Sequence, residues 1–544
     1  MSESMEGEAI RRARMAEWDR LVTSAMMTEI DRAAQEELGI PGVVLMENAG
    51  RAAWEAVREG LDGAPGHHSE MAVVFCVGPG NNGGDALVMA RWALLEGWRR
   101  ITVVSSRRTL NSTAASQAAI LARMGAPWLH WDEDDRACTA ALEQARLIVD
   151  GLAGTGLSGP LREEPARLVD AINRSRAVVI SIDVPSGSRD GYRSGEPLVR
   201  ANCTVVTGYR KRSLYTGAVR DAAGEIRQVD PGFPPQLVQG LMDREATAGR
   251  PLPRLVADAP ITLSTLFSGD PPPPIGPDSH KGSRGRVGVI AGGPGTVGAA
   301  ILAGMGALKG GAGMVRVVLG DDGGMRPALD PSLMVVADSD SARLDVATWA
   351  DVLVAGPGWT GAGAEDLCRI LELADERKRP LVLDAHALRL LAEGGSGSTA
   401  AAALRKATHI PAVVLTPHPG ELAALADVGA GDIASDPWGA LERVAGELPA
   451  YIVLKGSVTI VRDPNGETTV FDGRCPALGT AGSGDVLAGL IGAWCARPLS
   501  AGEAIRAAVA LHLNAGRGLL ARRGWFTATE LVSVLGEEEF RARE

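Results

Sequence analysis

Residues 478–490 read Leu-Gly-Thr-Ala-Gly-Ser-Gly-Asp-Val-Leu-Ala-Gly-Leu. Gly479, Gly482 and Gly484 run into Asp485, and an apolar helical pattern follows. Such a turn leaves bare backbone N–H groups at a helix N-terminus, where phosphate is held. An aspartate at its edge is placed to take a proton from an attacking hydroxyl. The implied chemistry is phosphoryl transfer to a small molecule; a plain helix cap is the alternative for Asp485. About 400 residues earlier, Val73-Val74-Phe75-Cys76-Val77 runs into Gly78-Pro79-Gly80-Asn81-Asn82-Gly83-Gly84-Asp85, so two sites are expected.

Gly78, Gly80 and Gly83 satisfy the G-x-G-x-x-G spacing of a dinucleotide turn. Two features argue against hydride transfer there. The next strand ends in Ser105-Ser106-Arg107-Arg108, with no acid for a ribose diol. Asn81, Asn82 and Asp85 also carry more polar groups than a pyrophosphate needs. Asp150 ends a further strand ahead of Gly154-Thr155-Gly156-Leu157-Ser158-Gly159-Pro160, and Asp183 ends another in Ile182-Asp183-Val184-Pro185-Ser186-Gly187. Carboxyl ends of parallel strands converge on one crevice, so these loops meet the Asn81–Asp85 loop. Hard oxygen donors of this kind suit an alkali or alkaline-earth cation, not zinc. Asp183 is the candidate for proton transfer, with N-capping as its other reading.

The elements that position these loops follow from apolar runs. At 544 residues the chain exceeds one core, and two or more domains are expected. Residues 1–22 form a polar, flexible N-terminus. Two helices occupy 23–59, around a turn at Gly39-Ile40-Pro41-Gly42. Strands at 72–77, 101–105, 147–149, 178–182 and 203–207 alternate with helical stretches, as in a parallel α/β sheet covered on both faces. Residues 244–275, rich in proline, read as a linker between domains at 23–243 and 276–544. The second half restarts with a strand at 286–291, a glycine-rich turn and a helix at 299–309. Strands follow at 314–319, 352–355, 381–383, 413–415, 452–454 and 459–462, then one helical stretch from 485 to 520. The fold class is α/β in two domains.

Composition narrows the function. A net charge of −11 argues against nucleic acid. No apolar run reaches membrane-spanning length, and the charged N-terminus lacks a signal core. Six scattered cysteines without a C-x-x-C pair fit reduced thiols in the cytoplasm. The chain has only six lysines, two of them in the triplets Lys281-Gly282-Ser283 and Lys455-Gly456-Ser457. In an arginine-preferring chain this hints at a need for a compact ammonium.

The Asn81–Asp85, Gly154–Gly159 and Asp183–Gly187 motifs, with Ile30-Asp31-Arg32 and Leu45-Met46-Glu47-Asn48-Ala49-Gly50, resemble the NAD(P)HX epimerase family of YjeF N-terminal type over 23–240. Ala86 departs from that family's usual glycine. The resemblance implies a Rossmann-like three-layer domain, K⁺ on Asn82, Asp150 and Ser186, acid–base work by Asp183, and substrate contact from Asn81, Asn82, Gly83, Gly84, Asp85, Gly154, Thr155, Gly156, Leu157, Ser158, Gly159, Pro160 and Asp183.

The later series is His280-Lys281-Gly282-Ser283, Gly292-Gly293-Pro294-Gly295, Gly356-Pro357-Gly358, Asp384-Ala385-His386-Ala387-Leu388, Thr416-Pro417-His418-Pro419-Gly420-Glu421, Lys455-Gly456-Ser457 and the Asp485 loop. It resembles the ADP/ATP-dependent NAD(P)HX dehydratase family, of ribokinase-like fold, over 276–535. His386 stands where that family usually has aspartate. The resemblance implies catalysis by Asp485, substrate contact from Ala299, Gly358, His418 and Asp485, and nucleotide contact from Lys455, Gly456, Ser457, Val458, Thr459 and Gly484. It implies Mg²⁺ as well, with ADP favoured and ATP as the alternative. Together the halves resemble the bifunctional NAD(P)H-hydrate repair family, acting on NADHX and NADPHX, with homo-oligomers left open. The rival readings are a small-alcohol kinase and an N-terminal binding module without turnover.

Overall fold

The computed structural model describes residues 18–61, 70–257, 260–267, 278–320 and 330–541. The prolines at 271–274 and the N-terminal residues to 17 lie outside that set. The chain divides into two compact units, Met1–Arg254 with Ala434–Asp436, and Leu255–Ile433 with Pro437–Glu544. Within the stretch expected as linker, Arg254–Val256 forms a strand, and Ile261, Leu263 and Leu266 are buried in the second unit's core.

The first unit carries β1 (Val73–Val77), β2 (Ile101–Ser105), β3 (Trp128–His130), β4 (Leu147–Gly151), β5 (Val178–Ile182), β6 (Cys203–Thr207) and β7 (Glu225–Val229). Their order is β3-β2-β1-β4-β5-β6-β7, all parallel. Every residue of β1 and β4 is buried, as continuous apolar strands with both faces covered require. The helix Ser24–Glu36 starts at Thr23, whose hydroxyl caps the Met26 N–H.

The second unit carries β8 (Arg254–Val256), β9 (Arg286–Ala291), β10 (Met314–Leu319), β11 (Met334–Ala337), β12 (Val352–Ala355), β13 (Leu381–Leu383), β14 (Val413–Leu415), β15 (Tyr451–Leu454), β16 (Thr459–Arg462) and β17 (Thr468–Phe471). The order is β11-β10-β9-β12-β13-β14-β15-β16-β17-β8. Pairing is parallel from β11 to β15 and antiparallel through β16 and β17. The single helical stretch expected over 485–520 is two helices, Ser483–Cys495 and Ala501–Arg523. Pro498 lacks the N–H that would continue the first, and Ser500 opens the second with a capping box to Glu503. Among the described residues, no helix is long and apolar enough to cross a membrane.

In both sheets the strand order reverses once, between β1 and β4 and between β9 and β12. Open α/β sheets form their ligand crevices outside such points. The helix that carries Asp485 is seated against Val297–Lys309 by backbone contact. A Cβ on Gly489 would lie 1.9 Å from the Ala303 carbonyl oxygen, and one on Gly306 would lie 2.4 Å from that of Val486. Gly489→Ala therefore forces the helices apart and is expected to destabilise the second unit by about 1–3 kcal/mol. Calorimetry of the full chain checks this; an unchanged melting profile would contradict the packing.

Candidate functional site

In the first unit the turn after β1 is built on close backbone approach. A Cβ on Gly78 would lie 1.7 Å from the Leu152 carbonyl oxygen, and one on Gly83 would lie 2.0 Å from that of Gly78. The helix Asn81–Leu95 starts at this turn. A cavity of about 580 Å³ opens there, lined by Asn81, Asn82, Asp85, Gly154, Thr155, Gly156, Leu157 and Asp183 among others. Gly83, Gly84, Ser158, Gly159 and Pro160 do not line it. Ala86 is fully buried, its methyl directed at Gly151.

Asp183 sits in the left-handed region, at φ +67°, a strained conformation for a residue with a side chain. Its N–H donates to the Val205 carbonyl at 2.7 Å. Its Oδ1 accepts from the Lys211 ammonium and from the Thr207 hydroxyl at 3.1 Å. Lys211 is fully buried, and its Nζ also donates to the Thr207 carbonyl at 3.1 Å. The chain at Val22 pairs across it, exchanging hydrogen bonds with Arg210 and Arg212 at 2.9 Å each. The sequence reading passed over Lys211; flanked by Arg210 and Arg212 it looks like part of an exposed basic run.

Asp150 is fully buried, and four donors surround its carboxylate: Ser181 Oγ at 2.7 Å, Ser186 Oγ at 2.6 Å, and the N–H groups of Ser186 at 3.0 Å and Leu152 at 3.3 Å. Among the described residues no basic side chain pairs with it. Burial raises its pKa above the ordinary value, against the pull of those donors. Asn82 is 9% exposed, and its Nδ2 is buried without a partner. Asp150 and Asn82 thus form an oxygen-rich buried cluster with no ammonium on it.

The second unit gathers its groups at the ends of β13, β14 and β15. Asp384 is 1% exposed, and its Oδ1 accepts from Lys455 Nζ and Thr416 Oγ1, both at 2.7 Å. A Cβ on Gly356, at φ +114°, would lie 1.9 Å from the Asp384 carbonyl oxygen, and one on Gly358 2.8 Å from the Ala299 methyl. The Lys455 N–H donates to the Pro417 carbonyl at 2.8 Å, tying the Lys455–Val458 turn to the His418 turn. His418 caps a helix: its Nδ1 accepts from the Gly420 and Glu421 N–H groups at 3.0 and 3.3 Å. That places the ring proton on Nε2, 3.3 Å from Glu421 Oε1. Ser457 and Gly456 are exposed, whereas Val458 and Thr459 are buried. His386 Nε2 lies 3.1 Å from the Ala362 carbonyl.

Asp485 stands in the first turn of its helix after Gly482, at φ +90°. Burial pushes its carboxyl up to about 7, the Asp384 charge adds to the rise, Lys455 opposes it, and Glu421 raises it further. His512, buried behind the turn, lies 3.0 Å from the Ser483 carbonyl, and burial lowers its pKa to about 4. Asp384 and Glu421, quoted in the motifs but given no role there, are the partners that make this a site. Their signal was adjacency to Ala385-His386 and His418.

A buried carboxyl with a raised pKa, an ammonium and a helix N-terminus without a side-chain cap thus meet at the carboxyl ends of parallel strands, where open α/β folds place ligands. Residues 42–213 match the family described as YjeF-related protein N-terminus, and residues 287–536 match NAD(P)H-hydrate dehydratase. The bifunctional NAD(P)H-hydrate repair enzyme Nnr of Moorella thermoacetica is 32% identical, over 93% of this chain and 93% of that protein. The Nnr of Escherichia coli is also 32% identical, over 93% and 91%. Among solved structures, the ADP/ATP-dependent NAD(P)H-hydrate dehydratase from Bacillus subtilis, co-crystallised with ATP/Mg²⁺, is 25% identical, with a TM-score of 0.42 covering 52% of this chain and 99% of that one. The chain belongs to the family of bifunctional NAD(P)H-hydrate repair enzymes, with an epimerase-type first half and a dehydratase second half.

Lys455→Met strands Asp384 as a buried carboxylate without its cation, which costs about 3–5 kcal/mol. Urea unfolding of the full chain reads this, and Asp384→Asn added to Lys455→Met should recover part of it. A loss that the second substitution leaves unchanged would show that the ion pair is not the source.

Proposed function

We propose that the first half, residues 23–243, interconverts the R and S forms of hydrated NADH and NADPH, and that the second half, residues 276–544, dehydrates the S form. The observation that carries the reading is Asp485, a carboxyl near neutrality at a glycine-built helix N-terminus beside Lys455. The substrate is a reduced nicotinamide ring that has added water on a carbon next to the ring nitrogen. Hydroxide leaves poorly, so the hydroxyl is first phosphorylated. Asp485 takes its proton while the terminal phosphoryl group of ADP moves onto the oxygen, and the N–H groups at 482–484 hold the developing charge. Phosphate then departs, driven by the ring nitrogen's lone pair, and loss of a proton from the ring carbon next to the one that bore the phosphate restores the dihydropyridine. AMP and free phosphate are the products with ADP, and ADP and phosphate if ATP is used instead.

Ala299, Gly358, His418 and Asp485 would contact the hydrated nicotinamide. Lys455, Gly456, Ser457, Val458, Thr459 and Gly484 would hold the nucleotide. Asp384 and Glu421 are the carboxylates available to Mg²⁺, which binds through one or two carboxylates and the phosphates and would neutralise phosphate charge. In the first half Asp183 would carry the proton, with Asn81, Asn82, Gly83, Gly84, Asp85 and the 154–160 loop around the substrate. Asn82, Asp150 and Ser186 would hold K⁺, which would supply the charge that balances Asp150. The six free thiols support a reducing, cytoplasmic setting.

Asp485 must be ionised to accept a proton, and its pKa is raised to about 7. Dehydratase kcat is therefore expected to fall as pH drops through about 7, and Asp485→Asn to lose about 10²–10⁴-fold above that pH, with the gap to wild type narrowing below it. Steady-state rates with ADP and the S epimer, scored by released phosphate, check both. A stable phosphorylated product in place of free phosphate would turn the assignment to a small-alcohol kinase.

A further inference from the structure

Four titratable side chains line the first unit's cavity: Asp31, Asp85, Asp183 and Lys211. Three are acids, and the single ammonium is committed to one of them. Lys211 donates to Asp183 Oδ1 and to the Thr207 carbonyl, and the chain at Val22 pairs across it in that position. The Asp31 carboxyl accepts from Gln35 Nε2 at 2.8 Å. Asp85, in the first turns of the helix Asn81–Leu95, makes no side-chain hydrogen bond or ion pair among the described residues. One carboxyl is thus clamped, with a second oxygen left over, and another is unpartnered in the same cavity.

Epimerisation at a carbon bearing a hydroxyl and a ring nitrogen needs both a proton acceptor and a proton donor. The geometry points to a division of labour set by Lys211: Asp183 is the acceptor, and Asp85 is a further catalytic residue, the donor. The inference rests on the epimerase reading of this half. For ring opening, Asp183 takes the hydroxyl proton, the C–O bond becomes C=O, the C–N bond breaks, and its electron pair takes the proton of Asp85. After rotation the nitrogen pair attacks the other carbonyl face, Asp183 returns its proton to oxygen, and the nitrogen's proton goes back to Asp85. Loss and return of water uses the same two groups. Asp85 protonates the departing hydroxyl as the nitrogen pair forms C=N, Asp183 takes the proton of the water that adds to the opposite face, and solvent carries that proton back to Asp85 before the next turnover. Burial, with the charges of Asp183 and Asp31 close by and Lys211 opposing them, holds the Asp85 carboxyl well above the ordinary range, as a proton donor requires.

The test is the pH profile of epimerase kcat and kcat/KM in the full-length wild type and in Asp183→Asn, Asp85→Asn, Lys211→Met, Lys211→Arg and Thr207→Val. Dehydratase turnover of the S epimer by the same preparations reports an intact second half. The wild-type rate should fall at alkaline pH as Asp85 ionises. Asp85→Asn should lower kcat about 10²–10⁴-fold, leave KM nearly unchanged and erase the alkaline limb. Without the ammonium the Asp183 carboxyl loses its fixed orientation, so Lys211→Met should lower kcat with KM nearly unchanged, and Lys211→Arg should restore it in part. Thr207→Val keeps the ion pair and should lower kcat by less, which serves if Lys211→Met does not fold. An unchanged kcat in Lys211→Met, or in Thr207→Val where the former is unfolded, overturns the role of Lys211. An Asp85→Asn enzyme with raised KM but wild-type kcat and alkaline limb overturns the role of Asp85. Wild-type epimerisation by Asp183→Asn would instead sink the underlying reading of this half.

Discussion

An ammonium held on an aspartate just past the carboxyl end of a parallel strand is the interaction on which each half depends. Lys211 holds Asp183 after β5, and Lys455 holds Asp384 after β13. Burying a carboxylate there is costly unless a charge or several donors meet it. Lysine serves because its compact ammonium meets a single oxygen, leaving the other free, where an arginine fork would engage both. A chain with six lysines spends two of them this way. The two pairs serve different ends. Lys211 is sealed from solvent and fixes the orientation of Asp183. Lys455, partly exposed, faces the turn that carries Asp485 and tempers the charge of three neighbouring carboxyls.

Around those pairs the backbone is brought closer than side chains permit. Gly78 lies against Leu152 at the reversal between β1 and β4, and Gly356 lies against Asp384 beside the reversal between β9 and β12. A methyl group at either place would push the loops apart and widen the crevice. In the second unit the same economy extends to the helices, where Gly306 and Gly489 let the Asp485 helix sit on its neighbour's backbone. The helix that carries Asp485 is therefore positioned by contacts that have no rotamer freedom, which is what a preorganised site needs.

Much of this was legible in the sequence. Largely buried parallel strands such as β1, β5 and β9 read as short β-branched runs, and their limits follow almost directly. The short β3, the polar β7 (Glu225-Ile226-Arg227-Gln228-Val229) and β11 escaped notice because sheet-edge strands bury one face at most. The glycine loops announced the two crevices and Asp85, Asp183 and Asp485 within them. Burial of a charge was not legible. Lys211 lies between two arginines, and its environment is made by Val22, almost 190 residues earlier, and by Asp183, 28 residues earlier. Asp384 and Glu421 became site residues only once the strand order put three loops side by side. The break at 496–500 was readable from Pro498 and the Ser500–Glu503 box, whereas the apolar pattern ran across it.

The most direct measurement of the central claim is recovery of dihydronicotinamide absorbance from a mixture of both epimers of hydrated NADH, with ADP, Mg²⁺ and K⁺, by the full chain. Two working halves predict recovery of the whole mixture with phosphate released in equal amount. Recovery that stops at the fraction of one epimer would contradict the epimerase half, and no recovery with ADP or ATP would contradict the dehydratase half.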